Sequence, residues 1–115
     1  MIDPPVTEVK FDGPDKAIVD LLPTADHPAF DGHFPHNPIL PGVVQIDWAL
    51  RLAVLHLGSK DGTRDYQVKF QRPIVPNAPV SVELRLDRAR DVLDFSYRQQ
   101  DAIASSGRLR LSGLP

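Results

Sequence analysis

Residues 31 to 57 read Asp-Gly-His-Phe-Pro-His-Asn-Pro-Ile-Leu-Pro-Gly-Val-Val-Gln-Ile-Asp-Trp-Ala-Leu-Arg-Leu-Ala-Val-Leu-His-Leu, and the two halves of this run obey different rules. Pro35, Pro38 and Pro41 each fix φ, remove a donor and push the preceding residue toward extended geometry, so the first half cannot be helical. The second half has no proline and no internal glycine, and it is rich in Leu, Ala, Val and Ile. A rigid loop therefore delivers the chain into a helix that starts near Pro41 or Gly42 and stops at Gly58, a suitable C′ residue.

That helix lacks a broad polar face. Gln45, Asp47, Arg51 and His56 are its only clearly polar side chains, so other structure is expected to wrap it. Two readings of Asp47 fit. It stands four residues before Arg51, the spacing of an ordinary intrahelical ion pair. It also fits a site where a carboxyl, the orphan amides of the helix start and a group from the proline loop meet around a ligand. Trp48, its neighbour, reads as core packing.

Composition narrows the class. A chain of 115 residues, 42% hydrophobic, suits one domain over residues 1–115, and a net charge of −2 disfavours a strongly basic nucleic-acid binder. With no cysteine there are no disulfides, thiolate nucleophiles or cysteine metal sites, and no long apolar run suggests a leader or a membrane span. A cytoplasmic protein is expected. The 12 prolines punctuate periodic segments and do not form a repeat.

Outside the central run the pattern is β. Val6 to Phe11 suits an edge strand, and after the turn at Asp12-Gly13-Pro14-Asp15 a second strand spans Lys16 to Leu22. Beyond the helix, Gly58 to Asp65 reads as a polar turn, and Tyr66 to Phe70 alternates as a strand showing its aromatics and Val68 to one side. Val80, Val82, Leu84 and Leu86 alternate with polar residues, as do Leu93, Phe95 and Tyr97 after a turn near Arg90-Asp91. A last strand carries Ile103, Leu109 and Leu111, narrowed or bulged near Gly107. The order of one or two strands, a long helix and three or four antiparallel strands implies an α+β fold, a curved sheet wrapped around one central helix. One helix and one sheet leave apolar surface and a sheet edge uncovered, which a dimer would repair.

Gly32-His33-Phe34-Pro35, followed by Pro38-Ile39-Leu40-Pro41-Gly42-Val43 and an acid at position 47, resembles the signature of the hotdog-fold β-hydroxyacyl-[acyl-carrier-protein] dehydratases of fatty-acid and aryl-polyene type. Ile39-Leu40 stand where that family has Val-Met, and the later Val68 to Pro76 run resembles its strand and proline turn. The resemblance implies His33 as catalytic base, Asp47 as catalytic acid and a Gly42 amide that polarises a thioester carbonyl, with Phe34 and Val43 as substrate contacts. It further implies dehydration of a (3R)-3-hydroxyacyl thioester on an acyl carrier protein to the trans-2-enoyl thioester, without metal or cofactor. The two catalytic side chains would come from different chains of a homodimer, or of a higher oligomer built from it.

The sequence departs from the family in two places. Position 36 is His where glycine is usual, so the loop takes another backbone form or His36 points to solvent. The acid is Asp, as in members that also isomerise an enoyl product, where many plain dehydratases have Glu. His27 and His56 show no convergent partners for a metal. Lys69, Arg72, Arg85, Arg88, Arg90, Arg108 and Arg110 are candidates for a basic patch facing an acidic carrier. Two other classes stay open: a hotdog thioesterase, and a non-catalytic acyl-binding or partner subunit.

Overall fold

A computed structural model describes residues 2–31 and 37–113. Strands β1 (Val6–Phe11) and β2 (Lys16–Leu21) precede a short 3-10 turn at Pro28–Phe30 and helix α1 (Gly42–Leu57). Strands β3 (Gly62–Phe70), β4 (Val80–Asp87), β5 (Val92–Gln99) and β6 (Ala102–Ser112) follow. All six strands form one sheet in the order β1-β2-β4-β5-β6-β3, and every pairing is antiparallel. With α1 lying against β2, β4 and β5, this is the hotdog fold.

The alternation of apolar residues sets the faces. Ala17, Val19 and Leu21 of β2, Val80, Val82, Leu84 and Leu86 of β4, and Leu93, Phe95 and Tyr97 of β5 all point inward. They meet Trp48, Ala49, Leu52, Ala53 and Leu57 on one side of α1. Trp48 is fully buried, as its reading as core requires. Among the described residues no helix is long and apolar enough to cross a membrane.

The helix ends where glycine allows it. Gly58 adopts φ 66°, and its amide reaches back to the carbonyls of Ala53 and Val54. The opposite end is less usual, since the N-cap is Pro41, which supplies no side-chain cap.

Three boundaries differ from the sequence reading. β3 begins at Gly62, four residues before the alternating run, because pairing with Leu111 and Ser112 of β6 extends it through the polar stretch. β2 stops at Leu21. The irregularity in β6 lies at Ala104, not at Gly107: Tyr97 pairs with Ser105 while Arg98 pairs with Ile103, which leaves Ala104 as an extra residue. The bulge turns both Ala104 and Ser105 inward, and both are buried.

The helix is also less wrapped than its composition suggests. One sheet covers one side, and the other leaves Val43 and Leu55 each 74% exposed. Tyr66 and Phe70 are exposed on β3, an edge strand of the sheet.

Gly107 has a steric role. A Cβ there would lie 2.6 Å from Cε2 of Phe95 and 3.0 Å from the Gln67 carbonyl oxygen, so the Phe95 ring occupies the space a side chain would need. Gly107→Val is expected to lower stability by about 1–3 kcal/mol through overpacking. Chemical denaturation should show this, with part of the loss recovered in the Gly107→Val, Phe95→Leu double variant.

Candidate active site

The first-turn amides of α1 have no acceptors inside the helix, as at any helix start. The first backbone bonds belong to Val44 and Gln45, both donating to Pro41 O at 3.1 Å, so the amides of Gly42 and Val43 have no acceptor among the described residues. Gly42 borders a cavity of about 470 Å³ lined chiefly by Ile39, Leu40, Gln45, Phe70, Arg72 and Pro73. The Phe70 ring lies so close that a Cβ on Gly42 would fall 2.6 Å from Phe70 Cζ. Only glycine lets the aromatic wall approach the helix start this closely. A Gly42 amide without an acceptor among the described residues, at the positive end of a helix dipole and at the edge of an apolar cavity, suits a carbonyl oxygen that gains negative charge.

The loop before the helix is fixed by the core. Leu40 donates its amide to Ile74 O at 2.9 Å and accepts from Gln45 Nε2 at 3.0 Å. Ser105 Oγ donates to Gln45 Oε1 at 2.6 Å, and the Tyr97 hydroxyl donates to the Gln45 main-chain oxygen at 2.7 Å. Gln45, Ser105 and Tyr97 are all buried. Burial raises the Tyr97 hydroxyl well above its ordinary pKa, and the negative charge of Asp47 adds to the effect. The extra residue of the β6 bulge contributes as well, since Ala104 O accepts from the amides of Gln71 and Arg72 at 2.8 and 3.0 Å.

Asp47 lies five residues beyond Gly42, about 140° around the helix at 100° per residue. It opens on a different hollow of about 640 Å³, shared with Leu50, Arg51, Val54, Leu55 and the segment at Asp3-Pro4. Its side chain is 47% exposed, and its Oδ2 is 3.5 Å from Arg51 Nη1. The intrahelical pair is thus present but secondary, because Arg51 Nη2 is 2.6 Å from Asp3 Oδ1 and Nη1 also donates to Ile2 O. Hydrogen bonding to Asp3, and then the charge of Asp47, hold the guanidinium above its ordinary pKa. Trp48 Nε1 donates to the same Ile2 oxygen at 3.1 Å, so residues 2 and 3 are strapped across the helix beside Asp47.

Of the residues expected from sequence, Gly42 borders the cavity, Val43 beside it is solvent-exposed, and Asp47 faces elsewhere. His33 and Phe34, with His36, lie outside the described residues. His27 is committed to structure: its Nδ1 accepts from Ala29 N, its Nε2 lies 2.9 Å from Asp3 O, and its ring meets Trp48 edge-on. The expected basic patch shrinks. Arg85, Arg88, Arg90, Arg108 and Arg110 pair with Glu83, Asp15, Asp87, Asp94 and Asp65 respectively. Among the described residues Lys69 and Arg72 have no such partner, and Arg72 lines the cavity. Gln45 and Ser105 were not singled out from sequence. A lone uncharged polar residue on an apolar helix and a serine in an apolar stripe are the signals that point to them.

A helix start bordering an apolar cavity, in a single sheet laid against one helix, defines the class: a hotdog-fold domain. Residues 9–108 match the ApeI-like family, described as ApeI dehydratase, and the chain belongs to that family. It is similar to 3-hydroxyacyl-[acyl-carrier-protein] dehydratase FabZ of Bartonella quintana (strain Toulouse), 32% identical over 91 residues and 71% of this chain. The corresponding protein of Bartonella bacilliformis is 35% identical over 92 residues. The chain spans 59% of the length of each of these relatives. Among solved structures, a chain of the dehydratase heterocomplex ApeI:P from Xenorhabdus doucetiae superposes with TM-score 0.88 at 30% identity, covering 95% of this chain and 97% of that one. Thioesterase superfamily member 2 from Mus musculus shares the fold alone, with TM-score 0.69 at 13% identity over 91% of this chain and 79% of that one.

The raised pKa of Tyr97 has a signed consequence. Stability gained by keeping the phenol neutral is present in full below the unfolded-state pKa near 10 and is lost as pH rises toward the higher folded-state value. Tyr97→Phe is expected to cost about 0.5–1.5 kcal/mol at neutral pH, the worth of one hydrogen bond. It should also flatten the alkaline loss of stability above roughly pH 10, read by urea denaturation across a pH series.

Proposed function

We propose that the protein dehydrates 3-hydroxyacyl thioesters to trans-2-enoyl thioesters. The observation that carries this reading is the Gly42 amide, which has no acceptor among the described residues and borders an apolar cavity in a member of a dehydratase family. In the proposed reaction neutral His33 takes a proton from carbon 2 while the Gly42 amide stabilises the charge gathering on the thioester oxygen. The bond between carbon 3 and its hydroxyl then breaks, and Asp47 supplies the proton that makes water the leaving group. A double bond remains between carbons 2 and 3, and no redox partner enters the balance.

The site is proposed to be composite. Gly42 and Asp47 open on different hollows of one chain, and Asp47 sits on a helix face whose flanking Val43 and Leu55 are bare. A second chain laid over this face and the exposed Tyr66 and Phe70 would withdraw the carboxyl from water, which favours the protonated form an acid needs. The second chain is taken to be another copy, with His33 of one facing Asp47 of the other. The Xenorhabdus relative belongs to a heterocomplex, which favours a second reading in which the covering chain is a different polypeptide. Native mass of the protein purified with and without its co-expressed neighbours distinguishes the two.

Each of His33→Ala and Asp47→Asn should lower turnover by roughly 10²- to 10⁴-fold, the usual worth of a general acid or base. Mixed under conditions that exchange subunits, the two inactive variants should recover part of the activity, because half of the sites in heterodimers are intact. Exchange without recovery would place both residues in one chain's site or remove one from the chemistry.

An acyl carrier protein is the proposed bearer of the substrate. Carriers are acidic, and Lys69 and Arg72 are cations without ion-pair partners among the described residues, one of them at the cavity. A carrier-bound substrate should turn over faster than the matching coenzyme A thioester, with an advantage that shrinks as salt rises. Lys69→Ala, Arg72→Ala should erase the difference. Equal rates on both substrates at low salt in the unmodified protein would count against carrier recognition.

A further inference from the structure

The helix that presents the Gly42 amide has a weak point at its start. Pro41 offers no side-chain cap, and a proline N-cap cannot donate its own amide. The direction of the Gly42 N–H is set by the peptide plane joining Pro41 to Gly42, and Pro41 follows Leu40. The Val44 and Gln45 amides hold the oxygen of that plane at 3.1 Å, and Leu40 sets where the plane itself sits against the cavity.

Leu40 is held on both sides. Its N–H is bound by Ile74 O at 2.9 Å and its carbonyl by Gln45 Nε2 at 3.0 Å. The first partner is itself anchored, since Gln99 takes the Val75 amide at 3.0 Å and donates to Val75 O at 2.9 Å and Ala78 O at 3.1 Å. The second is anchored by Ser105, whose hydroxyl donates to Gln45 Oε1 at 2.6 Å. Gln45 is 3% exposed and Ser105 is fully buried, so both bonds lie away from competing water. Ser105 reaches Gln45 because the Ala104 bulge turns it inward.

We propose that Gln45, braced by Ser105, is a positioning residue that substitutes for the missing helix cap and aims the Gly42 amide at the thioester oxygen. This rests on the reading of Gly42 given above. Gln45 borders the cavity, yet its side-chain carbonyl and amide are already engaged by the protein, so it acts through Leu40 and not by touching the acyl group. Gln45→Leu keeps the volume while removing both bonds; Ser105→Ala removes only the brace.

The test reads the carbonyl directly. A trans-2-enoyl coenzyme A thioester labelled with carbon-13 at carbon 1 is bound to the protein, and its C=O band is followed by isotope-edited infrared difference spectroscopy. On binding to the unmodified protein the band should move to lower wavenumber, as a hydrogen-bonded carbonyl does. Gln45→Leu should lose at least half of that displacement and Ser105→Ala a smaller part. In parallel, kcat for Gln45→Leu should fall on the order of 10- to 100-fold with little change in KM, the mark of a misaligned group. Gly107→Val, which loosens the fold elsewhere, should leave the band in place.

If the unmodified protein does not displace the band, the role of Gly42 fails and this proposal with it. A displacement that is normal in the folded Gln45→Leu protein overturns the positioning role and leaves Gly42 standing. A raised KM with kcat unchanged would make Gln45 a substrate contact and likewise overturn it. Should Gln45→Leu fail to fold, Ser105→Ala decides: a full displacement there refutes the brace.

Discussion

A helix of 16 residues that is apolar around most of its circumference has only one sheet to lie against. Burial of apolar area is the main stabilising term in a chain of this size, so the side facing β2, β4 and β5 specifies the fold. The remaining side is unfinished. Asp47 stands beside bare apolar residues on that side, the face over which a second chain is proposed to lie.

The second organising constraint is the helix start. Helices are usually begun by a side chain that satisfies one of the free amides. Here a proline begins the helix, and among the described residues nothing accepts from the first amides. The cost is a start that its own sequence does not hold. The core compensates through buried polar groups, with a glutamine, a serine and a tyrosine from α1, β6 and β5 joined in one satisfied network. Among the described residues no buried side-chain polar atom lacks a partner.

Much of this was legible in the sequence because local rules controlled it. Pro41 and Gly58 bound the helix, and the alternation from Val80 to Leu86 and from Leu93 to Tyr97 set which strand faces point inward. The motif from Gly32 to Asp47 indicated the family, and the match of residues 9–108 bears that out. What escaped depended on partners distant in sequence. β3 was cut short because Gly62 to Asp65 has no apolar alternation and is a strand only by pairing with β6. Arg51 looked like the partner of Asp47 because four residues separate them, whereas Asp3, 48 residues away, takes the closer place. The basic patch was overcounted because a sequence lists cations without showing which carboxylates neutralise them.

The single extra residue at Ala104 divides β6 into two reading frames. Before it, Ile103 is outward beside Arg98; after it, Ser105, Leu109 and Leu111 are inward beside β5 and β3. Side chains alternate with a period of two, so loss of that residue would not merely shorten the strand. It would merge the two frames into one regular alternation, Ile103 still outward and Ser105, Leu109 and Leu111 still inward, and would remove the carbonyl that holds the Gln71 and Arg72 amides. What the extra alanine adds is an acceptor, which ties Gln71 and Arg72 of the cavity lining to β6.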